Sequence, residues 1–301
     1  MPDTPNHNVY LLGNPVSGRG RGAKALAQIA ALLKARGVEI EVLRTCGPTD
    51  AIRLARQAVE SGAELLLVAG GDGTIRDAVE GIVSAASARA TTVGILPAGT
   101  GNDLARTLGI STNLERAVEV ALAGTERELD VWRWNDTPFV NIAGVGLDAA
   151  VAGAVNRKFR ALHGPLAYLA GALYALPRFQ PFPVTLQLPE GEWSGTVWLA
   201  AFASGRCYGG GMQIAPAADP HDGLLDIVVV EETSRGELLR QLPGLFSGRH
   251  VTHPKVRIVR AASVSVHAPP QDVTLDGELL GVTPGRVWHD DSRVRVRVPR
   301  S

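Results

Sequence analysis

The sequence predicts an α/β N-terminal domain with a parallel, Rossmann-like sheet, followed by an all-β antiparallel sandwich. Apolar runs at 9–12, 38–43, 65–68 and 93–96 alternate with Ala/Leu/Arg-rich helical stretches at 23–36, 50–61, 75–86 and 114–123. That rhythm builds parallel strands with helices on their faces. After residue 130 strand-like segments dominate: TVWLAAFASG, GLLDIVVVEE, KVRIVRAASVSVHA, DVTLDGELLG and SRVRVRV, spaced by Gly, Pro, Asp and Ser turns. With 301 residues and 45% hydrophobic content, the chain exceeds what one core usually serves. We expect domains at 1–130 and 131–301, the last strand being a candidate to return to the first.

Composition narrows the function classes. Lys+Arg and Asp+Glu are 30 each, so formal charge is zero, and no field able to hold nucleic acid is expected. Cys46 and Cys207 form no CxxC pair, which reads as reduced thiols in an intracellular protein without a zinc site. MPDTPNHN lacks a basic-then-apolar signal, and no apolar run reaches the roughly 18 residues a membrane span needs. The expectation is a soluble, cytoplasmic protein without repeats.

In an α/β domain, ligands bind where strands end and helices begin. Three loops at such places have distinctive chemistry. In GNPVSGRGRGAKAL, Asn14-Pro15 ends a strand, and Gly18, Gly20 and Gly22 are expected to lead into a helix beside Arg19 and Arg21. That favours an anion, though Lys24 lacks Walker spacing and a bland turn is an equal alternative. In VAGGDGTIRD, Gly70 and Gly71 are expected to permit unusual backbone angles, Gly73 removes bulk, and amides near Thr74 can face a phosphate. Asp72 beside a polyphosphate requires a divalent cation, which points to Mg²⁺; the alternative is a helix cap. In GILPAGTGNDLAR, Thr100 offers a hydroxyl, and Asn102 and Asp103 read equally as caps or ligand contacts.

NPVSG, GGDGT and PAGTGND, in this order and at these separations, resemble the diacylglycerol kinase catalytic-domain family, which includes bacterial lipid kinases and sphingosine kinases. The resemblance covers nearly the whole chain. It implies an ATP site between an α/β domain and a β-sandwich, with phosphoryl transfer to a lipid hydroxyl. The nucleotide contacts it implies are Asn14, Pro15, Val16, Ser17, Gly18, Thr45, the turn Gly71, Asp72, Gly73, Thr74, Ile75, Arg76 and Asp77, and Thr100. Arg76 stands where the family often has Asn and could add or disturb a phosphate contact.

In ADPHDGLLDIVVV, Asp-rich turns ordinarily bond their own backbone. The resemblance instead implies a structural Mg²⁺ on Asp219, Asp222 and the carbonyl of Leu224. VTLDGELLG reads as a hairpin turn from its residues alone. The family's DGE motif implies Glu278 as general base, with Asp276 orienting it or contacting the metal-phosphate network, and Asp72 completing the catalytic set. Asp148 in NIAGVGLDAAVA faces either the cleft or a helix start. Leu166, Leu169, Leu173 and Leu176 make one helical stripe, by default a core helix; Arg157, Lys158, Arg160 and Arg178 nevertheless suit transient contact with an anionic lipid surface.

The functional expectation is therefore an ATP- and Mg²⁺-dependent kinase of diacylglycerol or a similar lipid alcohol, peripheral at the membrane. An NAD-kinase-like enzyme with a soluble substrate and an inactive nucleotide-binding regulator are the alternatives. A homodimer stays open.

Overall fold

The computed structural model describes residues 8–85, 91–159, 161–162 and 164–300, and not the side chains of residues 17–19, 21 and 165. The chain forms two compact units, one from the residues up to Leu129 together with those from Ser292, the other Asp130–Asp291.

The first unit contains β1 (Val9–Gly13), α1 (Ser17–Ala35), β2 (Glu41–Arg44), α2 (Asp50–Glu60), β3 (Leu65–Gly70), α3 (Asp72–Val83), β4 (Thr92–Pro97), α4 (Asp103–Thr107), α5 (Leu114–Ala123) and the start of β5 (Thr125–Trp134). The end of the last strand, β15 (Gly285–Val298), runs parallel to β4, with Arg295 opposite Thr92 and Val296 opposite Val93. The order β15-β4-β3-β1-β2 is parallel throughout. Such strands are covered on both faces, so Leu11, Leu12, Leu66 and Leu67 are fully buried. Ile29 and Leu33 of α1 and Ile75 of α3 complete that core. The Asn113 side chain caps α5 by accepting from Arg116 N at 3.1 Å.

Two helices start earlier than the periodicity predicts. Helix α1 begins at Ser17, so Gly18, Gly20 and Gly22 lie inside its first turns rather than in a loop leading to it. The missing side chain at Gly22 is what permits this. A Cβ there would meet the Asn14 carbonyl at 2.1 Å, and next to it Ala23 N donates to Pro15 O at 2.9 Å. Likewise α3 begins at Asp72 itself.

The second unit holds the rest of β5, β6 (Thr137–Phe139), β7 (Ile142–Gly146), α6 (Leu147–Lys158), α7 (Pro165–Ala175), β8 (Phe182–Leu188), β9 (Gly191–Ala203), β10 (Leu225–Glu231), α8 (Arg235–Ser247), β11 (Val256–Ala261), β12 (Ser263–His267), β13 (Asp272–Leu275), β14 (Glu278–Val282) and the start of β15. Its strands run antiparallel in the order β14-β13-β7-β9-β8-β12-β15, with β10 and β11 attached through β9. Trp132, Trp134, Phe139, Phe182 and Phe202 fill the core between inward-facing valines and leucines. The expected class, α/β followed by antiparallel sandwich, is the observed one.

Helix α8 was not expected, because Pro243 and Gly244 interrupt its pattern. Its start is nevertheless well made, with Ser234 Oγ accepting from Glu237 N at 3.2 Å. The stripe expected in a core helix is split. Leu166, Leu169 and Leu173 on α7 are 66%, 41% and 54% exposed, whereas Leu176 just past its end is buried.

Candidate active site

The C-terminal ends of β1, β3 and β4 lie side by side, and backbone bonds tie their loops together. Asn14 N donates to Ala69 O at 3.4 Å, Thr45 N to Gly13 O at 3.0 Å and Ala98 N to Gly70 O at 2.9 Å. Asn14 Oδ1 accepts from Val16 N at 3.0 Å, a local turn that sets the approach to α1. Thr45 is buried, and Thr100 and Val16 are exposed. The side chains of Ser17, Gly18, Arg19 and Arg21 lie outside the described residues.

The glycines of GGDGT work differently from the expectation. Among the described residues, neither Gly70, Gly71 nor Gly73 adopts a positive φ, and Gly71 is plainly extended at φ −94 and ψ −176. What they provide is proximity. A Cβ on Gly70 would strike the Thr74 side chain at 2.5 Å, and one on Gly99 would reach the Gly71 Cα at 2.4 Å. The second and third loops are thus pressed backbone to backbone. No side chain caps α3, so its first-turn amides present the partial positive charge that receives an anion.

Asp72 does cap a helix, but not its own: Oδ1 accepts from Leu104 N in the first turn of α4 at 3.0 Å. Burial among the packed loops pushes its carboxyl above the ordinary range, against the pull of amides at Leu104 and Asp103. Asn102 braces the loop instead of capping α4: Oδ1 accepts from Gly99 N at 3.0 Å and Nδ2 donates to Gly99 O at 3.1 Å. The other Asp72 oxygen converges with a second carboxylate. The point where a Gly101 Cβ would stand is 2.9 Å from Asp72 Oδ2 and 3.2 Å from Asp103 Oδ2. Two carboxylate oxygens at one glycine cradle suit a hard divalent cation. Arg76 is buried and turns its guanidinium onto Asp77, with Nε at 3.2 Å and the terminal nitrogen at 2.5 Å.

In the second unit, Asp276 and Gly277 form the two-residue turn between β13 and β14, with φ of 49 and 86. Asp-Gly suits such a turn because both residues need the left-handed region. The Asp276 carboxylate is a backbone anchor: Oδ1 accepts from Asn141 N at 2.9 Å and Ile142 N at 3.1 Å, and Oδ2 from Val140 N at 3.0 Å. These bonds fix the turn that carries Glu278. Glu278 follows as the first, exposed residue of β14.

In the Asp-rich turn the carboxylates expected to hold a cation make local bonds. Asp219 Oδ1 accepts from His221 N at 3.2 Å and Asp222 Oδ1 from Leu224 N at 3.0 Å, while Asp222 Oδ2 is paired with Arg260. A cation on Asp219, Asp222 and Leu224 would have to displace a guanidinium already in place. Among the described residues no cluster of three or more His, Cys, Asp or Glu side chains could hold a metal. The turn is fastened by a residue the sequence reading passed over. Fully buried Asp130 accepts from Gly223 N through Oδ2 at 2.6 Å and faces His289 Nε2 through Oδ1 at 3.3 Å.

Asp148 sits in the first turn of α6. Oδ1 accepts from Ala149 N at 2.8 Å, and Oδ2 is buried with no hydrogen-bond partner among the described residues. Burial raises its pKa from the ordinary 3.8 to about 7. Tyr208 is nearby, its phenol raised by burial and then by Asp148 and Tyr168. Tyr208 also lines an apolar pocket, partly open to solvent, walled by Leu147, Leu176, Leu199, Leu238 and Leu242. Sequence reading missed this pocket because its walls come from segments far apart in the chain; the Gly triplet after Tyr208 was the only local signal.

Comparison with known proteins adds independent findings. The family model for the diacylglycerol kinase catalytic domain matches residues 8–134, and that for the YegS C-terminal NAD kinase beta sandwich-like domain matches residues 141–298. A diacylglycerol kinase of Mycobacterium tuberculosis is 36% identical over 299 residues, 97% of this chain and 95% of that protein. One from Bacillus subtilis is 29% identical over 292 residues, 96% of each. The crystal structure of a diacylglycerol kinase from Bacillus anthracis is similar at a TM-score of 0.78 and 25% identity, covering 96% of each chain.

Proposed function

The chain belongs to the diacylglycerol kinase catalytic-domain family and is a kinase, and we propose that it transfers the γ-phosphoryl group of ATP, with Mg²⁺, to the hydroxyl of diacylglycerol or a similar lipid alcohol. The observation that carries the lipid acceptor is the apolar pocket of the second unit, lined mainly by leucine, isoleucine and valine side chains. A soluble, polar substrate would gain nothing from walls of leucine and valine; an acyl chain gains about 0.8 kcal/mol for each methylene it buries.

The protein's own residues have separable tasks. The amides that open α3 receive phosphate oxygens, and the close packing of Gly71 on Gly99 holds the two loops in place beside them. Asp72 and Asp103 would hold the Mg²⁺, which supplies charge neutralisation on the phosphates. Glu278 accepts the proton of the lipid hydroxyl, and Asp276 fixes the turn that presents it. The Asp-rich turn has no part in these steps.

No described helix is long and apolar enough to cross a membrane, so the lipid would be met at a surface. Leu166, Leu169 and Leu173 project from α7, while Lys158 and Arg178 flank the Tyr174 ring at 4.8 and 4.1 Å. Arg157 adjoins them; Arg160 lies outside the described residues. This combination suits transient contact with an anionic bilayer from the cytoplasmic side. Incubation with labelled ATP and a mixed lipid extract, against a panel of water-soluble alcohols, tests the reading. Label in a lipid phosphomonoester is expected. Label confined to a soluble acceptor would refute it.

A further inference from the structure

The DGE turn is held at one end by the three amides that bind Asp276, and its next residue meets a side chain with no role so far. Tyr168 lies on α7, the helix that carries the exposed leucines. Its hydroxyl is 3.7 Å from where a Cβ on Gly277 would stand, and a Cβ on Gly209 would come within 3.0 Å of its ring. Both glycines are left-handed, at φ 86 and 63. Their left-handed backbone disfavours any side chain at either place, and at Gly209 a Cβ would also crowd the Tyr168 ring and the Met212 methyl. Tyr208, whose phenol is raised by burial and then by Asp148 and Tyr168, is nearby.

We propose that Tyr168 is a positioning residue of the catalytic turn, through which contact of α7 with a lipid surface is transmitted to the residue preceding Glu278. The proposal rests on the lipid-acceptor reading above and adds how the same site is regulated. A helix moves as a rigid body over one or two turns, so a force on Leu166, Leu169 and Leu173 is a force on Tyr168. The opposite face of α7 is pinned: a Cβ on Gly171 would press Val155 and Val151 of α6 at 2.9 and 3.1 Å. Seating α7 on a bilayer therefore rotates the helix about this contact and presses Tyr168 towards Gly277. A shift of a reacting group by about 1 Å can change a rate about a hundred-fold, so a small adjustment there suffices.

The test compares long-chain diacylglycerol in vesicles of phosphatidylglycerol and phosphatidylcholine with monomeric dihexanoylglycerol. In the wild type, kcat on vesicles should exceed kcat on the monomer. In Tyr168→Phe, which keeps the ring on Gly209 and removes the hydroxyl at Gly277, that ratio should fall about ten-fold towards unity, with KM for ATP unchanged. Tyr168→Ala should lower it at least as far, with vesicle binding retained. A ratio unaltered in both variants, whether or not both rates fall, would overturn the proposal, as would an effect confined to KM. A wild type active on vesicles with unaltered variants overturns this inference alone. A wild type inactive on both glycerides overturns the lipid-acceptor reading and this inference with it.

Discussion

Replacing Asp148 by Asn should remove a pH dependence of stability that the wild type carries in its second unit. The Asp148 carboxyl is 6% exposed, leaves Oδ2 unpartnered and titrates near 7 instead of 3.8. Because the folded pKa is raised, the stabilisation is complete below about 4, where both states hold the proton. It is lost as pH rises through about 7, where the folded state must at last ionise a carboxyl that the unfolded chain ionised earlier. A displacement of about three pH units at about 1.4 kcal/mol each gives about 4 kcal/mol in full, of which about 3 kcal/mol falls between pH 5 and pH 8. Asn keeps the size and the acceptor for Ala149 N but cannot ionise. The five tryptophans, at 132, 134, 193, 198 and 288, all lie in this unit, so urea unfolding followed by their fluorescence reports on it directly. The wild type should lose about 3 kcal/mol more than Asp148→Asn on going from pH 5 to pH 8. Equal losses in the two proteins would mean that Asp148 is solvated or paired when ionised, and would refute the reasoning.

Neighbouring residues of the catalytic turn should separate cleanly. Glu278→Gln should lower kcat by about a hundred- to ten-thousand-fold with ATP affinity and melting temperature little changed; calorimetric ATP titration beside turnover checks this. Asp276→Ala deprives three buried amides of their acceptor and should destabilise the second unit by about 3 kcal/mol or more, seen as a lowered urea midpoint. Since Arg260 already pairs with Asp222, chelation should leave the melting temperature unchanged; a drop in the wild type that Asp222→Ala abolishes would restore the turn as a cation site.

Much of this was legible in the sequence, because its signals are local. Apolar runs and helical periodicity mark the parallel half, and alternating segments mark the sandwich, since each pattern reflects which faces of one element are buried. The chemistry of GGDGT and DGE was legible for the same reason: a carboxylate among glycines stands out over five residues. What those residues do was not. Gly70 and Gly71 read as turn formers, yet they serve close packing against Thr74 and Gly99, one of them on a loop nearly thirty residues away. Asp72 reads as a carboxylate for Mg²⁺, with a cap of its own helix as the alternative, and one of its oxygens caps α4. Asp276 reads as a possible metal contact until three amides from 140–142 are seen to occupy it.

The remaining decisions belong to tertiary structure alone. Asp222 could face a cation or a guanidinium, and only the pairing of β10 with β11 puts Arg260 within its reach. The leucine stripe of α7 has the same periodicity whether buried or exposed; which it is follows from the burial of Ala167 and Ala175 and the close approach of Gly171 to Val151 and Val155 of α6. The apolar pocket and the seat of Tyr168 have no sequence signature, because the first assembles residues from α6, α7, β9 and the segments that follow, and the second joins α7 to Gly209 and Gly277. A sequence determines the periodicity and chemistry of each element, since these depend on residues a few positions apart. Which burial, partner or cavity each side chain meets depends on contacts with residues far along the chain, from the neighbouring loops to the other end of the sheet, and those exist only once the sheets have formed.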